Sequence, residues 1–253
     1  MLVIKDLTVK VEDKIVLDKF NLIIKNGEVH VIMGPNGVGK STLTKVIMAD
    51  PNYKVISGDI IYNDESILSL STDQRAKLGI FLAMQNPLEI DGVTNADFLR
   101  TAISSIKNEK VNLYSFIKKL DSAKEELNMP SEMVHRSVNK GFSGGEKKKN
   151  EILQMKMLEP NLILLDEIDS GVDVDSLKIL GNNIDNYLKD NSLASALVIT
   201  HYTHLLKYVK PDFVHIIKNG KIILTGDYSL AQKIENNGFN FDEIESSVNT
   251  EGV

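Results

Sequence analysis

The stretch Gly34-Pro35-Asn36-Gly37-Val38-Gly39-Lys40-Ser41 decides how the rest of the chain is read. It fits the Walker A pattern, a glycine-rich turn closed by a lysine and a hydroxyl residue. The glycines let the backbone curl until successive N–H groups face one anion, and a helix that starts there adds the positive end of its dipole. Lys40 supplies a mobile positive charge for the β- and γ-phosphates of a nucleotide, and the Ser41 hydroxyl suits Mg²⁺. The candidate nucleotide contacts run from Gly34 through Pro35, Asn36, Gly37, Val38, Gly39, Lys40 and Ser41 to Thr42. The flanks have the form this loop requires. Residues 28–33 are mostly apolar and of strand length, and residues 40–48 have helical spacing and stop before Asp50-Pro51.

Outward from the loop, the patterns alternate between strand and helix. Residues 2–11 and 15–24 read as strands around a turn at Glu12-Asp13-Lys14, and Asn26-Gly27 breaks the second. Residues 58–61 and 80–84 read as further strands. Residues 88–140 are polar, lysine-rich and helical in period, with Pro87 and Gly92 near their start, which predicts a helical lobe inserted into a sheet domain. A helix after Gly145 ends at Pro160, because proline disfavours the helical state in the residue before it. Leu162-Ile163-Leu164-Leu165 is apolar without alternation, the texture of a parallel strand covered on both faces. A helix over 174–187, a strand over 196–200, a helix over 203–209, a hairpin over 213–224 turning at Asn219-Gly220 and a helix from Ser229 follow. Beyond Glu245 the tail is expected to fray. This order implies an α/β core.

Three strand ends carry polar groups suited to phosphate chemistry. Asp166-Glu167 closes the apolar strand. Asp166 suits Mg²⁺ through water and Glu167 suits a general base that orients the attacking water. Two carboxylates side by side after a core strand are costly without a cation or a water network. Gln85, after Met84, suits the metal or the nucleophilic water, and His201, after Thr200, suits the γ-phosphate. Each reading competes with a plainer one, a loop amide or a partly buried structural histidine. Ser143-Gly144-Gly145-Glu146 stands just before a helix and forms a second anion cradle. One polypeptide holds one nucleotide, so Ser143 and Lys40 need not serve the same one. If Ser143 caps a γ-phosphate held by a partner's Lys40, the two cradles become one composite site.

Composition narrows the classes. The chain has 253 residues, 29 Lys and Arg against 35 Asp and Glu, and a formal charge of -6, which argues against DNA or RNA as the main partner. There is no cysteine, hence no disulfide, thiolate ligand or thiol nucleophile. No secretory leader is recognisable and the longest apolar runs are strand-sized, so a cytoplasmic location is the default expectation.

Taken together, these residues resemble the nucleotide-binding subunits of ABC ATPases over essentially the whole chain. Phe142-Ser143-Gly144-Gly145-Glu146 stands where that family has its signature, Ile168-Asp169-Ser170-Gly171-Val172-Asp173 matches its D-loop, Gln85 its Q-loop and His201 its switch histidine. The resemblance implies an ABC-type P-loop ATPase fold with a mixed sheet core, N-terminal antiparallel strands and an inserted helical subdomain. The core takes residues 1–87 and 158–253, and the subdomain with the signature takes 88–157. It implies ATP and Mg²⁺ as cofactors, with Lys40 on phosphate, Ser41, Gln85 and Asp166 serving the metal, and Glu167, His201 and Gln85 as catalytic residues. Ser143, Gly144 and Gly145 would act across a transient, ATP-dependent head-to-tail homodimer. Within the family, residues 85–90, 136–139 and 141–150 are similar to the soluble branch that serves iron–sulfur cluster assembly. That likeness implies SufB- and SufD-like scaffold proteins as partners. A membrane-transporter ATPase is the competing reading.

Two departures from the family pattern stand out. No aromatic residue occurs in Val11-Glu12-Asp13 to stack on adenine, which leaves Val11 and Val16 as apolar contacts and implies weak base selectivity. Glu146 replaces a common glutamine and precedes Lys147, Lys148 and Lys149. Those lysines are expected either to pair with Glu167 and hold it off the water, or to form a solvated helix start.

Overall fold

The computed structural model describes residues 1–239; the expected fraying beyond Glu245 lies outside the described residues. The strands are β1 (Leu2–Val11), β2 (Lys14–Ile24), β3 (Val29–Met33), β4 (Lys54–Tyr62), β5 (Glu65–Ser66), β6 (Ile80–Ala83), β7 (Ile90–Thr94), β8 (Ser137–Val138), β9 (Leu162–Asp166), β10 (Ser195–Ile199), β11 (Phe213–Lys218) and β12 (Lys221–Gly226). The helices are α1 (Lys40–Ile47), α2 (Thr72–Lys77), α3 (Asn95–Lys107), α4 (Leu113–Glu126), α5 (Gly144–Leu158), α6 (Val174–Asp190) and α7 (Tyr228–Asn237).

A six-stranded sheet in the order β12-β11-β3-β10-β9-β6 forms the centre. Its five strands from β11 to β6 are parallel, and β12 closes the far edge antiparallel to β11. Alternate residues of one strand serve two cores. Leu162 and Leu164 of β9 pack with α1 and the antiparallel sheet β2-β1-β4-β5, whereas Ile163 and Leu165 pack with α3 to α6. That double burial is why β9 carries no alternating polarity. The parallel arrangement gathers the carboxyl ends of β3, β6, β9 and β10 at one rim, where a doubly wound α/β sheet offers its binding crevice.

Four local expectations change. The expected helix over 203–209 is a 3₁₀ turn at Leu205–Lys207. Thr203 is bonded through its hydroxyl to Glu235, and Pro211 stands close behind, so too few residues remain to propagate a helix. The lobe over 88–140 is not wholly helical, because β7 and β8 pair antiparallel across its base. A two-residue strand leaves no readable period. Helix α2 was not expected; its start is a capping box between Ser71 and Gln74. Strand β4 begins at Lys54, well before the expected 58, because its exposed first half is ordered by pairing with β1 rather than by apolar pattern.

Candidate active site

The loop between β3 and α1 is bent by glycine. Gly39 sits at φ +106°, in the left-handed region, and a β-carbon there would lie 2.9 Å from a Leu17 methyl and 3.0 Å from the Val16 carbonyl. Val16 thus backs the phosphate loop. Gly39 caps α1 without a side-chain bond, so the first N–H groups of the helix are left for an anion. Lys40 is buried, and its Nζ donates to the Gly34 carbonyl at 2.8 Å and the Pro35 carbonyl at 3.0 Å, which holds the ammonium inside the loop. Burial pushes its pKa down, against the charges of Glu167 and Asp166.

Asp166 ends β9 two strands away. Its Oδ1 accepts from the Ser41 hydroxyl at 2.9 Å and its Oδ2 from the Thr44 hydroxyl at 3.3 Å. Burial raises the Asp166 pKa, the Ser41 bond lowers it, and the neighbouring Glu167 charge raises it further. A buried carboxylate disfavoured in its charged form, set beside a hydroxyl oxygen, fits a hard divalent cation. Among the described residues there is no cage of three or more His, Cys, Asp or Glu. Mg²⁺ needs none when phosphate and water complete its shell.

Glu167 follows at φ +49°, a left-handed conformation rare outside glycine, and its N–H is tied to the Ile199 carbonyl at 2.9 Å. Gln85 Nε2 donates to Glu167 Oε2 at 2.6 Å, and His201 Nε2 lies 3.0 Å from Glu167 Oε1. Gln85, Glu167 and His201 thus meet at one carboxylate beyond the ends of β6, β9 and β10. With Asn36, Gly37, Asp169, Ser170 and Tyr202 they line an open cleft of about 380 Å³. The Thr200 hydroxyl donates to Asp169 at 2.6 Å, and burial raises the Asp169 pKa against that bond.

Ser143, Gly144 and Gly145 are not brought to this cleft. Among the described residues no hydrogen bond joins them to the loop of Lys40; Gly144 instead lies beside Gly171 and Gly145 beside Ser176. Ser143 is exposed and caps α5, accepting from the Glu146 N–H at 3.3 Å, while Glu146 accepts from the Ser143 N–H at 2.7 Å. Neither expectation for the three lysines survives for Lys148, and Lys147 does not reach the Glu167 carboxylate. Lys147 pairs with Glu89 at 2.7 Å. Lys148 is buried and donates to the carbonyls of Met84 at 3.0 Å and Gln85 at 2.6 Å, reaching only the Glu167 carbonyl at 3.5 Å. The Glu167 carboxylate is already taken by Gln85 and His201.

Sequence reasoning missed Thr44, which stands a helical turn beyond Ser41 on the same face of α1, a spacing that could have found it. It also missed the buried pair Lys148 and Glu151, for which a charged residue facing the core of α5 was the only signal.

The description "ABC transporter" belongs to the family model that matches residues 17–170. Vegetative protein 296 of Bacillus subtilis (strain 168) is 48% identical over 254 residues, covering 100% of this chain and 97% of that protein. The probable ATP-dependent transporter ycf16 of Pyropia yezoensis is 46% identical over 245 residues, covering 95% and 97%. A dimeric ATP-binding cassette in a post-hydrolysis state with ADP and phosphate superposes with a TM-score of 0.77 at 20% identity, covering 90% of this chain and 98% of that one. At that identity the likeness is one of fold. Among the described residues no helix is long and apolar enough to cross a membrane.

Proposed function

The chain belongs to the ABC transporter ATP-binding family, and from that premise we propose that it is the SufC-like ATPase of an iron–sulfur cluster assembly complex. It is an ATPase that binds ATP with Mg²⁺. Hydrolysis rests on the carboxylate of Glu167, held from two sides by Gln85 and His201 next to the loop of Lys40. In our reading Lys40 and the loop N–H groups bind the phosphates, and Ser41 and Asp166 hold the metal. Mg²⁺, when bound, neutralises charge on the β- and γ-phosphates. Glu167 accepts the proton of the attacking water, Gln85 orients that water and His201 touches the γ-phosphate. Ser143 and Gly144, exposed on the same chain but away from this cleft, complete the site of a second copy together with the half-buried Gly145. Residues 88–157 would then move as a lobe that carries the signature to the partner's nucleotide, and the closure of two copies would shift SufB- and SufD-like scaffolds in the cytoplasm.

The assembly reading is carried by one network. The residues that resemble that branch are knitted together, with Asn150 Nδ2 donating to Asn139 Oδ1 and Asn95 Oδ1 at 2.8 Å each, and Asn139 Nδ2 to the Leu88 carbonyl at 2.8 Å. The exposed segment after Gln85 is therefore tied to the signature helix through the buried Asn95, Asn139 and Asn150, a basis for reading their sequence likeness as a single functional trait. The second reading, the ATPase of a membrane transporter, is favoured by the name of the Pyropia yezoensis relative. A pull-down from native lysate separates the two, followed by ATPase assay with and without the captured partner. Scaffold proteins and stimulated turnover support the assembly reading. Capture of a membrane permease, with no scaffold, overturns it.

A further inference from the structure

Helix α5 reaches the Gln85 segment through two charged side chains. Lys148 and Glu151 stand three residues apart, on one face of the helix, and are 4% and 6% exposed. Both hold the backbone of the same residue, Met84, from its two sides. Glu151 Oε2 accepts from the Met84 N–H at 2.9 Å, while Lys148 Nζ donates to the Met84 carbonyl at 3.0 Å and the Gln85 carbonyl at 2.6 Å. The Gln85 side chain then donates to Glu167 at 2.6 Å. A continuous line of bonds runs from the helix capped by Ser143, through Met84 and Gln85, to the Glu167 carboxylate.

Apolar side chains would fill this space without the desolvation that a buried carboxylate and ammonium suffer. The two charges instead fix the direction and the height of one strand end against one helix. Burial pushes the Glu151 carboxyl up to about 7, with the Met84 N–H and the Lys148 charge opposing.

We propose that Glu151 is a positioning residue for ATP hydrolysis: by holding the Met84 N–H it makes the grip of Gln85 on Glu167 depend on the placement of the signature helix. Glu151 touches neither nucleotide nor Glu167. Its effect belongs in turnover rather than in nucleotide binding, and it acts through Gln85.

The test is a double-mutant cycle on the full chain, measuring kcat, KM and ATP affinity of Glu151→Ala, Glu151→Gln, Gln85→Ala and Glu151→Ala/Gln85→Ala. Glu151→Ala is expected to lower kcat about tenfold with ATP affinity changed less than about twofold. Glu151→Gln keeps an acceptor for Met84 and is expected to recover most of kcat. The double variant is expected to fall little below Gln85→Ala alone, because both changes cut one line. If Glu151→Ala does not fold, as circular dichroism reports, Glu151→Asp takes its place, being too short by one methylene for Met84. Unchanged kcat per folded molecule, losses that multiply in the double variant, or a fall in ATP affinity matching the fall in kcat each overturn the proposal.

Discussion

The two ends of the central sheet satisfy their polar groups in opposite ways. At the amino-terminal end, His30 Nδ1 lies 2.9 Å from His215 Nε2, His30 Nε2 lies 3.0 Å from Glu28, and His215 Nδ1 lies 2.9 Å from the Thr225 hydroxyl. Nearby, Asp212 accepts from the Val29 N–H at 2.8 Å. Every ring nitrogen of His30 and His215 has a partner within the chain, and in that sense the cluster is closed. At the carboxyl-terminal end, Glu167 lines an open cleft with Lys40 and Asp166 behind it, and burial works against the charged forms of Lys40 and Asp166. A closed polar cluster reports stability. An open one, whose charges await something from outside, reports function.

Substitutions break this comparison in a graded way. The largest effect is expected from Glu167→Gln, which should lower kcat by about 10²–10⁴-fold, the usual contribution of a general base. ATP should still bind and dimers should accumulate, as read by single-turnover assay and light scattering; retained turnover would remove Glu167 from the mechanism.

The closed end should answer to pH instead. Burial lowers the His215 pKa from 6.5 to about 4, with the adjacent His30 adding to it, and burial lowers that of His30 despite Glu28. Between these values the unfolded chain binds more protons than the folded one, so stability is intact above pH 6.5 and falls as pH drops toward 4. At 1.36 kcal/mol for each unit, His215 accounts for about 3 kcal/mol of that fall. His215→Gln should flatten the acid limb of a Tm–pH curve while leaving ATP affinity unchanged, and an equally steep limb would show that the histidine pair is not its source.

Next in size, Lys40→Ala should weaken ATP binding by one to two orders of magnitude, since hydrogen bonds to charged groups contribute about 1.5–3 kcal/mol. Isothermal titration with a non-hydrolysable analogue measures it, and affinity within threefold of the native chain would count against the phosphate role. The smallest effect belongs to Lys147→Ala. Its pair with Glu89 is partly exposed, so unfolding free energy should change by less than about 1 kcal/mol and kcat should not rise. A rise in kcat would restore the idea that these lysines restrain hydrolysis.

What could be read from sequence follows the same division. The carboxyl-terminal rim was legible because parallel strands buried on both faces are continuous apolar runs, and the polar residue after each run lies at the rim. Gly34–Lys40, Gln85, Asp166, Glu167 and His201 were all placed at strand ends by that rule. The sheet, the N-terminal antiparallel pair and the helices after the phosphate loop and before Pro160 follow from periods long enough to count. The amino-terminal cluster was not legible, since His30 and His215 are 185 residues apart and no local pattern announces their contact. The pairing of β7 with β8 was hidden for the same reason. Lys148 was misread because a run of lysines looks solvated until tertiary packing shows that one of them points inward, and Glu151 was not singled out.

Strand order carries one more consequence. Lys40 opens α1 just after the loop that follows β3, and Asp166 ends β9; both strands are interior and hydrogen-bonded on both sides, so the separation of the two residues is governed by the spacing of the sheet. Gln85 follows β6, which has a neighbour on one side only. The rim therefore has a stiff middle and a compliant margin. Variation in rate among related chains should accumulate at the margin, where a shift of a few tenths of an ångström leaves the grip on phosphate untouched.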